Sequence, residues 1–263
     1  MKEAERQQAI YRKLSSMERE PSRGAIQRVD GRAMSPLMAI PTGFSSLDTA
    51  LGVGGFPRGR ITEIFGPEAC GKTTLALRVI AHFQQSGGTA AFIDAEHVFD
   101  AEYARSLGVE MERLPVLEPD SAEDAIEIGR RLALSGAVDL LVVDSAAALV
   151  PQMELETGVG ESGPGLHGRV LASGLRKLAV AVLRGGASLV FLNQARAKLE
   201  APFGELETSA GGISLKLYAA VRVALASAGG GVVRARILKN RLAEPFREAD
   251  LELFTGRGTA NRP

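Results

Sequence analysis

One run of fourteen residues limits what this chain can fold into: Ile61-Thr-Glu-Ile-Phe-Gly-Pro-Glu-Ala-Cys-Gly-Lys-Thr-Thr74. Ile61 to Phe65 reads as a short buried strand, and Gly66, four residues, then Gly71-Lys72-Thr73 is the spacing of a phosphate-binding loop. The two glycines let the backbone of Gly66-Pro67-Glu68-Ala69-Cys70-Gly71 curl so that its N–H groups face phosphate oxygens. A helix beginning near Lys72 adds the positive end of its dipole. Lys72 is then expected to reach the β and γ phosphates and the Thr73 hydroxyl to bind Mg2+, with Thr74 completing the nucleotide-binding segment. Leu75, Leu77, Val79 and Ile80 continue the helix until Gly87-Gly88 stops it.

Two later strands supply acids to the same region. Thr89-Ala-Ala-Phe-Ile-Asp94 delivers Asp94, Glu96 and His97 at its end, where an open α/β sheet binds ligands. Glu96 there is a candidate base or water-orienting group for γ-phosphate hydrolysis, or a solvated strand-end carboxylate. Val138-Asp-Leu-Leu-Val-Val-Asp144-Ser145 is a hydrophobic run ending in an acid, which would hold Mg2+ opposite Thr73.

Zero formal net charge conceals a segregation. From Asp94 to Glu161 there are sixteen acids against four bases, whereas Leu166 to Leu199 and Thr208 to Ala243 each carry six bases and no acid. The pattern suits a polyanion on one face, or equally charges spread around solvated faces. The single cysteine, Cys70, permits no intramolecular disulfide. The charged N-terminus lacks an apolar core segment and no stretch approaches 18 apolar residues, so the expectation is a cytoplasmic protein without a membrane span.

Residues 2–20 are polar with Ile10, Leu14 and Met17 along one side, a helix that packs on its own domain or on a neighbouring subunit. Residues 1–33 are thus expected to be an N-terminal helix and linker serving oligomerisation, 34–255 an ATPase core, and 256–263 a short tail. Met34 to Gly59 reads as loop-rich, Ala101 to Leu107 and Ser121 to Leu134 as helices, the second with a capping signal in Asp120-Ser121 followed by Glu123 and Asp124, and Pro115-Val-Leu as a brief strand. Gly158-Val-Gly-Glu-Ser-Gly-Pro-Gly165 reads as a mobile loop, Leu166 to Leu183 as a helix and Ala187 to Asn193 as a buried strand. Gln194 is expected to open a second long loop, reaching Gly211-Gly212. The two loops line a groove for a nucleic-acid backbone, or are merely flexible. Val221 to Ala226 and Val232 to Leu238 flank Gly229-Gly-Gly231 as a hairpin, and Leu251 to Phe254 is a last strand. Alternating strands and helices followed by antiparallel strands predict an α/β fold, a mainly parallel sheet flanked by helices with an antiparallel extension.

Laid end to end, Gly66-Pro-Glu-Ala-Cys-Gly-Lys-Thr-Thr74, Ala-Phe-Ile-Asp-Ala-Glu-His97, Tyr103-Ala-Arg, Leu-Val-Val-Asp-Ser145, Asn193-Gln194 with Arg196 and Lys198, and Leu238-Lys-Asn-Arg241 resemble the bacterial RecA recombinase family over nearly the whole length. The resemblance implies a RecA-type P-loop ATPase core. It implies that Glu96 positions the attacking water, that Lys72, Thr73 and Asp144 bind ATP and Mg2+, and that Asp100 and Tyr103 contact the adenine. Gln194 would sense the γ-phosphate and signal into the DNA-binding loop. Lys239 and Arg241 would cross the subunit interface to a neighbour's ATP, acting as an arginine finger does. DNA contacts would come from Arg169, Arg176, Arg196, Lys198, Leu199, Thr208, Gly211 and Gly212, with Leu199 wedged between bases.

Some positions depart from the family. The chain stops at Asn261-Arg-Pro, so the C-terminal domain that gathers duplex DNA is expected to be missing with part of the adenine pocket. Gly163-Pro164 lies in the first loop, Leu217 stands where the subunit interface usually has an aromatic, and Cys70 replaces a serine. The implied activity is a DNA-stimulated ATPase that assembles on single-stranded DNA as a filament or ring in recombination, repair and the SOS response, with double-stranded DNA a further ligand. The alternative is a truncated accessory protein that partners a translesion or repair polymerase. A hexameric helicase motor fits poorly, since no helicase module accompanies the core.

Overall fold

The computed structural model describes residues 38–158, 165–197, 207–209 and 213–253. The expected N-terminal helix, the tail, and most of the two glycine-bearing loops lie outside them.

A two-stranded antiparallel ribbon comes first, β1 (Ala39–Ile40) with β2 (Phe56–Pro57). Between them lies helix α1 (Ser45–Leu51), where the sequence predicts only loop. Seven residues are too few to show a periodicity. What fixes this helix is Asp48, whose carboxylate accepts from the Thr42 N–H at 3.0 Å and hydroxyl at 2.7 Å, together with buried Leu47, Ala50 and Leu51.

The remaining elements are β3 (Ile61–Gly66), α2 (Lys72–Gln85), β4 (Ala90–Asp94), α3 (Ala101–Ser106), β5 (Val116–Leu117), α4 (Ala122–Ser135), β6 (Leu140–Asp144), α5 (Gln152–Glu156), α6 (Leu166–Gly185), β7 (Ser188–Ala197), β8 (Glu207–Ser209), α7 (Ile213–Tyr218), β9 (Val221–Gly229), β10 (Val232–Asn240) and β11 (Glu248–Glu252). The strands order as β11-β10-β9-β3-β7-β6-β4-β5, with β8 added to β7. From β9 to β5 neighbouring strands run parallel, and β10 and β11 form the antiparallel extension. The central strands are apolar at nearly every position because helices cover both faces. On one face Leu75, Val79 and Ile80 of α2 pack against Ile64, Val190, Leu192 and Val223. On the other, Ile126 of α4 and Leu175 and Leu178 of α6 pack against Ile93, Val143 and Phe191. Each fully buried side chain of this size contributes roughly 1.5–3 kcal/mol.

Helix α4 starts as its sequence signals. Ser121 Oγ accepts from the Asp124 N–H at 3.1 Å and donates to the Asp124 carboxylate at 2.7 Å. Several boundaries differ from expectation, β9 and β10 each running a few residues further, to Gly229 and Asn240, and two differences have a clear cause. β7 does not end at Asn193: it continues through Gln194 to Ala197, because β8 supplies antiparallel partners, pairing Ala195 with Ser209, Arg196 with Thr208 and Ala197 with Glu207. The last strand is Glu248–Glu252 rather than a segment beginning at Leu251, since its exposed acids pair across to β10, Arg234 with Asp250 and Arg236 with Glu248.

The strand order places the site. Between β3 and β4, successive in sequence, the sheet inserts β7 and β6, so the carboxyl ends of four strands share one edge.

Candidate nucleotide-binding site

Gly66 ends β3 where only glycine fits: a Cβ there would lie 2.4 Å from the Leu225 carbonyl oxygen and 2.8 Å from Cys70 Sγ. The loop then passes through left-handed conformations at Ala69 (φ 56°) and Gly71 (φ 94°), which turns successive N–H groups towards one side. Gly71 precedes the first turn of α2. The Lys72 ammonium is folded back onto the loop, donating to the Gly66 carbonyl at 3.1 Å and the Pro67 carbonyl at 2.7 Å. Cys70 is buried beneath it.

Thr73 Oγ1 donates to Asp144 Oδ2 at 2.6 Å, joining the start of α2 to the tip of β6. The Asp144 carboxyl is pushed up to about 6, chiefly by burial, with the charges of Glu96 and Asp94 adding to it and the Thr73 hydrogen bond and Lys72 opposing it. Glu96 accepts from Ser145 Oγ at 2.5 Å, and its backbone N–H, like that of Ala95, donates to the Asp144 carbonyl, at 3.2 and 2.7 Å respectively. The tips of β4 and β6 are therefore one hydrogen-bonded unit. Asp94 is a structural member of it, accepting from the N–H groups of Glu96 and Phe99.

Asp100 and Tyr103 come together on α3. Asp100 Oδ1 accepts from the N–H groups of Glu102 and Tyr103 at 3.0 Å each, so one of its oxygens caps the helix. The Tyr103 hydroxyl shares a 2.8 Å hydrogen bond with Thr74 Oγ1, which places the ring beside the phosphate-loop helix.

Gln194 lies level with Gly66 in the β3–β7 register, and its N–H donates to Asn193 Oδ1 at 2.9 Å. Lys239 and Arg241, at and just past the end of β10, bond instead to the last turn of α7. Lys239 Nζ donates to the Lys216 and Leu217 carbonyls, and Arg241 donates to the Leu217 carbonyl at 3.2 Å. These cations cap the negative end of a short helix whose Leu217 side chain is 55% exposed.

Of the DNA candidates, Arg169 and Arg176 are exposed on α6 two turns apart, on one side of the helix. Arg196 and Thr208, distant in sequence, are Cα partners across β7 and β8. Lys198, Leu199, Gly211 and Gly212 fall outside the described residues. Sequence reasoning gave no role to four polar residues, Ser145 and Asn193 at this edge and Glu63 and Arg222 further back in β3 and β9. The signal for Glu63 was available, since a carboxylate amid an apolar strand requires a buried partner.

The residues present fit a magnesium nucleotide. A hydroxyl and a carboxylate oxygen lie 2.6 Å apart beside two further acids, a hard oxygen donor set short of positive charge. Lys72 occupies loop carbonyls that a phosphate would relieve.

A profile described as the RecA N-terminal domain matches residues 8–260. The Protein RecA of Thermus thermophilus is 47% identical over 263 residues, covering 96% of this chain and 77% of that protein. The chain belongs to the RecA family. Protein RecA of Thermus aquaticus is 45% identical over 266 residues (97% of this chain, 78% of the relative), and Protein RecA 1 of Myxococcus xanthus is 46% identical over 265 residues (97% and 78%). RecA-family proteins are DNA-dependent ATPases of homologous recombination and repair that use ATP with Mg2+. The RecA-type core is the parallel sheet and antiparallel extension described above. Among the described residues no helix is long and apolar enough to cross a membrane.

Proposed function

We propose that this RecA-family chain hydrolyses ATP at the edge formed by β3, β7, β6 and β4, assembles on single-stranded DNA in the cytoplasm, and uses the state of the γ-phosphate to set its grip on that DNA. One observation carries the reading: the phosphate loop, the Thr73–Asp144 pair, the Ser145–Glu96 pair and Gln194 stand on adjacent strand ends. Gly66 to Gly71 cradle the phosphates, and Lys72 moves from the loop carbonyls to the β and γ oxygens. Tyr103, beside Thr74, flanks the base with Asp100. Thr73 and Asp144 hold Mg2+, which when bound neutralises charge on the β and γ phosphates. Glu96, oriented by the Ser145 hydroxyl, takes a proton from the attacking water. Gln194 bonds the terminal phosphate and pulls on β7, the strand that carries Arg196 towards Lys198 and Leu199. Arg169, Arg176, Thr208, Gly211 and Gly212 complete the DNA contacts. Lys239 and Arg241 reach a neighbouring protomer's nucleotide, and residues 1–33 help the protomers associate.

The test is ATP turnover with and without single-stranded DNA. Stimulation by DNA is expected, and an equal rate in both would move the chain to the accessory role in DNA-damage tolerance.

A further inference from the structure

We propose that Glu63 and Arg222 are positioning residues that tie the sensing tip Asn193–Gln194 to the cations Lys239 and Arg241, so that one protomer's nucleotide state reaches the side chains it lends to its neighbour. This rests on the roles assigned above to Gln194, Lys239 and Arg241. Glu63 sits in the middle of β3 and is fully buried. A carboxylate in that position is costly unless both oxygens are engaged. Its Oε1 accepts from Asn193 Nδ2 at 2.9 Å and its Oε2 from Arg222 Nε in a short ion pair. Strand register explains the alignment. Phe191, Glu63, Arg222 and Lys239 are Cα partners in one row across β7, β3, β9 and β10, and Asn193 is two residues beyond Phe191 on the same face. The row lies on the face opposite α2. The Arg222 guanidinium lies 4.6 Å from the Phe65 ring centroid, which limits its freedom to swing.

The Asn193 amide is held at both ends, its nitrogen on Glu63 and its oxygen on the Gln194 N–H. A turn of the Gln194 backbone must be taken up by that amide, and rotation of the amide breaks the bond to Glu63. At the other end, Lys239 faces Arg222 from β9, Glu63 from β3, Arg241 beyond its own strand, and Lys216 of α7, whose carbonyl it bonds. Its ammonium is lowered to about 8 by burial and by the two arginines, and Glu63 opposes that lowering. A change at Glu63 therefore alters the charge on Lys239 as well as the pose of Arg222. A buried ion pair adds little net stability over apolar residues of similar volume, so packing alone gives this row no purpose.

The experiment measures DNA-stimulated ATP turnover across the neutral-to-alkaline range for wild type, Glu63→Gln, and Glu63→Gln with Lys239→Arg. Glu63→Gln is expected to cut stimulated turnover by about tenfold. It should also shift the alkaline limb of the profile to lower pH, because the one charge supporting the ammonium is gone. Adding Lys239→Arg should restore the alkaline limb, since a guanidinium stays charged there. Wild-type turnover and an unmoved limb in folded Glu63→Gln overturn the proposal, as does a limb that Lys239→Arg leaves in place. Gln194→Ala and Lys239→Ala serve as controls. If they keep full stimulation, the underlying residue roles have failed and not the link between them. Should Glu63→Gln not fold, Asn193→Ala cuts only the sensing end. It should lower stimulated turnover with no shift of the alkaline limb, and a wild-type rate there overturns the proposal equally.

Discussion

Asp144 shows what a catalytic edge costs at the level of one side chain. It is buried with two acids close by and, without a cation, only a hydroxyl and a more distant ammonium favour its charge. Replacing Asp144 by Asn keeps an acceptor for Thr73 and removes the buried charge. The nucleotide-free protein is therefore expected to melt a few degrees higher, while magnesium-dependent ATP turnover is lost, a trade between stability and function. Scanning calorimetry beside an ATPase assay checks both halves. Glu96→Gln should bind nucleotide normally and turn it over roughly a thousandfold more slowly, since the amide still accepts from Ser145 and takes no proton. Normal turnover in this variant would assign the base elsewhere. For Lys239 the sign of the pH effect follows from its lowered value. With a folded value of about 8 against an ordinary 10.5, the unfolded chain binds more proton between those limits, so this residue's contribution to stability rises with pH across that window. Lys239→Met should remove that rise in thermal melts, and an unchanged pH dependence would show that another group causes it.

The elements were legible in proportion to how strongly local chemistry specifies them. The Gly66–Thr74 spacing, the strand end at Asp144 and the Ser121 cap were readable because the constraint lies within a few neighbouring residues. Ser121→Ala should cost about 1 kcal/mol, read as a lowered urea midpoint. The extension of β7 was not readable, because its hydrogen-bond partners come from β8 across a long intervening segment. Helix α1 was missed for a different reason: it is only seven residues long, held by the Asp48–Thr42 contact and three buried apolar side chains within a glycine-rich stretch. The Ser145–Glu96 pair and the Asn193–Glu63–Arg222 row depend on strand order, which no single strand's sequence contains. Helix α6 gives a test at this scale. Reversing charge at Arg169 and Arg176 should weaken single-stranded DNA binding and flatten its dependence on salt, while an unchanged slope would clear both of phosphate contact.

Across the whole molecule, the segregation of charge along the sequence sets an acidic helix, α4, directly beside a basic one, α6. Acids gather in the segments around β4, α4 and β6, and bases on α6 and the β9–β10 hairpin. Strand β7 lies between β3 and β6 in the sheet and is longer than either. Gln194 is level with the last residue of β3, so Ala195, Arg196 and Ala197 project beyond it, roughly 10 Å of chain supported by a three-residue partner. In the proposed function Gln194 loads this strand at its root, which makes it in effect a cantilever clamped in the sheet. A small tilt at the clamp sweeps the free end through a larger arc, and a single residue inserted at the root would reverse the facing of everything beyond it.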